Sequence, residues 1–119
     1  MTPEAQRIAI AEACGWTNVA PRIVKNVKHQ GDDVTVGIWS DNGWIPNYLN
    51  DLNAMHEAVS IFDYDQADEF EDHLCDICKR SNDEKENPAP WRFAVVNAIA
   101  AQRAEAFLRT IGKWEEAKP

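Results

Sequence analysis

The tetrapeptide Asn87-Pro88-Ala89-Pro90 constrains this chain more than any other feature. Two prolines, two residues apart, remove two backbone donors and fix two φ angles, so neither a helix interior nor a central strand can run through them. With the polar residues ahead of it, the stretch Ser81 to Pro90 reads as a loop. After it, Trp91-Arg92-Phe93-Ala94-Val95-Val96 predicts a strand, alternating at first and then apolar. Asn97 is placed to cap a final helix whose inward side is Ile99, Ala100, Ala104, Phe107, Leu108 and Ile111, with Gly112 as its stop. Trp114 is expected to tuck in from the short tail.

Ahead of the break, Thr2-Pro3 predicts a helix start, because threonine suits the N-cap and proline the first turn. Ala5, Ile8, Ala9, Ala11 and Ala13 then recur at helical spacing, Gly15 is a natural C′ stop, and Trp16 folds back. Residues 19–28 mix β-branched and basic side chains, with Pro21 arguing against a central strand. Val34-Thr35-Val36-Gly37-Ile38-Trp39 is the stronger strand, between turns at Gly31-Asp32-Asp33 and Asp41-Asn42-Gly43, and the two strands pair antiparallel. A second helix is expected from Tyr48 to Phe62, with Leu49, Leu52, Met55, Val59 and Phe62 as its apolar stripe. A third runs from Gln66 to Lys79, with Phe70, Leu74 and Ile77 inward. The order α-β-β-α-α-β-α predicts one α/β domain over residues 1–119, an open sheet with helices on its faces.

Charge narrows the partners. The chain carries −8 over 119 residues, and residues 63–86 hold ten acids against Lys79, Arg80 and Lys85. Such a stretch repels a polyanion, so direct nucleic-acid binding is not expected. A solvated helix face is the plain reading of the run. No apolar run is long enough to span a membrane, and the start at Met1-Thr2-Pro3-Glu4 lacks a secretory signal pattern. Three cysteines, an odd number, suit a reducing cytoplasm.

Two stretches go beyond pattern. Residues 48–58 (Tyr48-Leu49-Asn50-Asp51-Leu52-Asn53-Ala54-Met55-His56-Glu57-Ala58) and residues 100–114 (Ala100 to Trp114) resemble the phage ABA-sandwich domain family. The opening Ile10-Ala11-Glu12-Ala13-Cys14-Gly15-Trp16 is similar to it as well. The resemblance thins between about residues 63 and 90. It implies a three-layer α-β-α sandwich, a small and mostly antiparallel sheet with helices on both faces, and a phage or prophage origin in a host bacterial cytoplasm. It implies no reaction.

Candidate chemistry is sparse. Cys75 and Cys78 form a C-x-x-C with His73 upstream, but a closed zinc site needs a fourth ligand, and two small core residues fit the helix better. Asp72 and Asp76 beside them disfavour a thiolate. Asn50, Asn53 and Glu57 share one helix face, with His56 flanking the apolar side; local capping is the competing role for these residues. Arg103, a turn before Phe107, is expected on a half-buried edge, gripping a phosphate or carboxylate ligand or pairing with an acid of this chain. Trp39 and Trp44 bracket a turn and suit ring stacking or an interface, against core packing. The ligand-binding set is therefore Trp39, Trp44, Asn50, Asn53, His56 and Arg103, with no catalytic residue, metal or cofactor assigned.

No phosphate-binding glycine loop, nucleophile elbow, zinc-protease motif or calcium loop is present in the sequence. The leading expectation is a non-catalytic binding protein that blunts a host defence. It would act by masking a basic host-protein surface with residues 63–86, or by sequestering a nucleotide-derived signal. The alternatives are a small hydrolase-type enzyme using His56, His73 or Glu57, and an accessory subunit of a phage assembly. Expected partners are a host protein or small nucleotide-like ligand, and a second copy of the chain, with no membrane.

Overall fold

The computed structural model describes residues 1–25 and 34–116, and at 22–25 and 34–36 the backbone alone. The expected turn at Gly31-Asp32-Asp33, and residues 26–28 of the first strand segment, lie outside the described residues. Helix α1 (Pro3–Ala13) starts as expected, with Thr2 Oγ1 accepting from Ala5 N at 3.1 Å. It stops at Gly15, where φ is +94°, a conformation that favours glycine. The chain then doubles back, Trp16 N donating to Ala11 O.

Strands β1 (Ala20–Lys25), β2 (Val34–Ser40) and β3 (Gly43–Trp44) form an antiparallel sheet in that order. Pro21 thus sits on an edge strand, where a missing donor is tolerated. Ser40 is fully buried and holds the tight turn, its hydroxyl donating to Gly43 O at 2.8 Å and accepting from Asn42 N at 3.1 Å. Asp41 ties the turn to the α1–β1 link through Thr17 Oγ1 and Asn18 Nδ2.

Helix α2 (Leu52–Val59) is shorter than Tyr48–Phe62, because Asp51 caps it by accepting from Ala54 N. Of its expected stripe, Met55 is buried and Leu49, Val59 and Phe62 pack against the core, but Leu52 is exposed, a correction that follows from the later start, with Ala54 and Ala58 buried instead. Helix α3 (Tyr64–Asp83) is longer than expected. A capping box between Asp63 and Gln66 sets its start, and Leu74, Ile77 and Cys78 face inward. Its end reaches into the region expected to be loop, where buried Asn82 donates to Ala89 O at 2.6 Å and accepts from Ala89 N at 3.1 Å.

The main correction is at 91–96, which is helix α4 (Trp91–Val96) and not a strand. Ala94, Val95 and Ala98 all turn toward one cluster, a helical spacing that packing selects over the β propensity of Trp, Phe and Val. Helix α5 (Ala100–Thr110) follows. Asn97 does not cap it but closes α4, its side-chain amide donating to Phe93 O at 2.8 Å. Ile99, expected inward, precedes α5 and is exposed, because Gln102 Oε1 accepts from its N–H and holds it at the helix entrance.

The result is a mixed α+β fold, with five helices and a three-stranded antiparallel sheet among the described residues. Ile10, Ile38, Ile45, Tyr48, Met55, Phe107 and Leu108 centre one core. Leu74, Ile77, Cys78, Ala98 and Ala106 form a second, and Phe70 packs against both. Phe62 stacks on Phe107 with ring centroids 4.8 Å apart. Helix α5 is the shared wall between them.

Candidate functional site

The first distinctive surface lies on α3. Asp65, Asp68, Asp72 and Asp76 step along the helix by three or four residues, so they fall in a strip about 80° wide. All four are exposed, and among the described residues none is in an ion pair. On this helix, among the described residues, Glu69 has a basic side chain near it, His73 at 3.5 Å. Like charges at i, i+4 repel by about 0.2–0.5 kcal/mol per pair. The strip therefore works against the helix that carries it, and the capping box and apolar stripe must hold α3 despite it.

The expected ligand residues separate into three places. Trp39 and Trp44 are brought together, edge to face with ring centroids 4.9 Å apart, and both are partly exposed. The Trp44 ring lies so close over Gly37 that a Cβ there would meet it at 2.5 Å. Asn53 and His56 are exposed on α2, while Asn50 sits in the turn before it, its N–H donating to Asn47 O. Asn50 therefore leaves the helical row it was expected to share with Asn53 and Glu57. Arg103 is half-buried as expected, and among the described residues its guanidinium is in no ion pair with an acid. Nε donates to Ala98 O at 3.1 Å and Nη2 to Val96 O at 3.5 Å, covering carbonyls left open at the end of α4.

A cleft of about 280 Å³ that the sequence did not reveal opens between the end of α1 and α2. Cys14, Trp16, Pro46, Tyr48 and Glu57 contribute to its wall. Tyr48 is buried, with the side chains of Trp16 and Cys14 beside its hydroxyl. Burial pushes Tyr48 up to about 12, and the neighbouring Cys14 acts in the same direction. Burial also raises the Cys14 thiol, so this cysteine is no ready nucleophile. Among the described residues, the charged group in the wall is Glu57, which opposes an anionic ligand.

The remaining thiols follow the same logic. Burial raises Cys75, and Glu71, Asp72 and Asp76 add to it; burial raises Cys78 as well. Cys78 is a core residue, and among the described residues no cluster of three His, Cys, Asp or Glu is arranged to hold a metal. No helix of the described residues is long and apolar enough to cross a membrane. No family model, curated protein or solved structure matches the chain.

Proposed function

We propose that this is a non-catalytic binding protein of phage type, a three-layer sandwich domain acting in a host bacterial cytoplasm. Its acidic α3 masks a basic surface of a host protein and so blunts a defence. The observation that supports this reading is the strip of exposed carboxylates at Asp65, Asp68, Asp72 and Asp76, none in an ion pair among the described residues. Over 20 residues α3 is about 30 Å long, enough to lie across a basic groove. Sequestration of a nucleotide-derived signal has less behind it: Arg103 is engaged by backbone carbonyls, and the cleft presents Glu57. Hydrolysis through His56, His73 or Glu57 lacks a converging set, since His73 faces Glu69 and His56 is exposed on α2 outside the cleft wall.

The test is titration of the protein with dodecalysine, a plain cationic probe, at two salt concentrations. Binding should weaken by at least tenfold between about 50 and 200 mM salt, because exposed charges are screened over that range. Affinity that stays level across it would contradict the proposal.

A further inference from the structure

The cleft between the end of α1 and α2 has no part in the attraction assigned to α3, and among the described residues none from α3 lines it. Its wall combines carbon surface from Pro46, Ala54, Ala58 and Ile61 with the half-buried side chain of Trp16 and the carboxylate of Glu57. Among the described residues that carboxylate is in no ion pair, and the wall carries no lysine, arginine or histidine. At about 280 Å³ the cleft lies at the small end of the range that encloses a small molecule, with room for one ring or a short chain.

The wall is in place before a ligand arrives. Cys14 N–H donates to Ile10 O and Trp16 N–H to Ala11 O, each at 3.0 Å, which pins the turn after α1. Tyr48, Ala54 and Ala58 are buried members of the main core. A site fixed beforehand loses little freedom on binding.

Charge defines the ligand. Burial raises both the Cys14 thiol and the Tyr48 phenol, and Glu57 adds to each, so its charge is felt within the cleft and not only at the mouth. Thiol and phenol therefore stay protonated at neutral pH, and Glu57 gives the wall a single negative charge, which matches a single cation. A metal ion is the wrong one. Among the described residues no three His, Cys, Asp or Glu converge to hold it, and hard cations take about six oxygen ligands or more. An ammonium group needs fewer partners, since a carboxylate accepts its protons and an aromatic face attracts its charge.

We propose that this cleft binds a small organic monocation, an amine whose ammonium group pairs with Glu57 beside Trp16 and whose carbon part lies against Pro46, Ala54, Ala58 and Ile61. The site stands or falls independently of the α3 strip.

The test is an NMR titration with 2-phenylethylamine, protonated at neutral pH, and its uncharged counterpart 2-phenylethanol, read at backbone amides and tryptophan indoles. The amine should bind about tenfold more tightly than the alcohol, because carboxylate and ring both favour the charged end. The largest shifts should fall at Cys14, Trp16 and Ala58. Glu57 is exposed and Glu57→Gln keeps its size, so the fold should stand. The substitution should remove the amine's advantage and leave the alcohol as it was. Glu86→Gln, at an exposed acid in the proline-rich loop, should change neither, which separates the cleft from the general attraction of a chain at −8. Equal binding of amine and alcohol, no binding of either, or shifts centred on α3 would overturn the proposal. So would a loss in Glu86→Gln as large as that in Glu57→Gln.

Discussion

Single polar residues hold this fold at its corners. Asn82 emerges from the last turn of α3 into a buried position and satisfies both backbone groups of Ala89, fixing the proline-rich loop to the helix. Asn82→Ala strands a buried donor and acceptor, and should lower unfolding free energy in urea by about 1–3 kcal/mol. A loss under about 0.5 kcal/mol would show that the loop is held elsewhere. Tyr48 makes a pH-dependent case. Its folded pKa of about 12 lies above the ordinary tyrosine value of 10. The stability it contributes is thus fully present below pH 10 and is lost as pH rises through about 12. Tyr48→Phe should flatten the decline of stability across that window, read by denaturant melts at stepped alkaline pH. An unchanged slope would mean that the phenol is not what burial penalises.

At the scale of elements, some structure was readable because single residues dictate it. Thr2-Pro3 and Gly15 bound α1 through a cap and a positive φ, which are local effects. The edge placement of β1 follows from one missing donor at Pro21. Helix α4 was not readable, because Trp91, Phe93, Val95 and Val96 favour strands locally and only the second core turns them into a helix. Asp51 starts α2 later than the expected Tyr48, because its carboxylate accepts from Ala54 N and fixes the first turn there. The cleft was hidden for a different reason: Cys14, Tyr48 and Glu57 lie far apart in the chain and meet only when α1 and α2 pack. The α3 strip was visible as charge, but its one-sidedness needed the helix. Replacing Asp68, Asp72 and Asp76 by Asn removes two like-charged i, i+4 contacts. Helix and protein should gain about 0.4–1 kcal/mol, read as a higher melting temperature. A lower one would mean that these acids have partners that stabilise the helix.

For the whole molecule, stability and binding are expected to pull apart. Both cores lie on the inner sides of the helices, and α5 joins them, so α3 and α4 can present charge and apolar surface outward without opening either. Acidity spread over the whole chain would attract any polycation weakly and from every side. Attraction that comes from one strip on α3 is instead confined to that face. The measurement that tests this most directly is the affinity of the Asp68→Asn, Asp72→Asn, Asp76→Asn protein for dodecalysine at about 50 mM salt, beside the unsubstituted chain. Three exposed charges at up to about 0.5 kcal/mol each predict roughly tenfold weaker binding, in a protein that melts no lower. Equal affinity in the two proteins would contradict α3 as the binding surface.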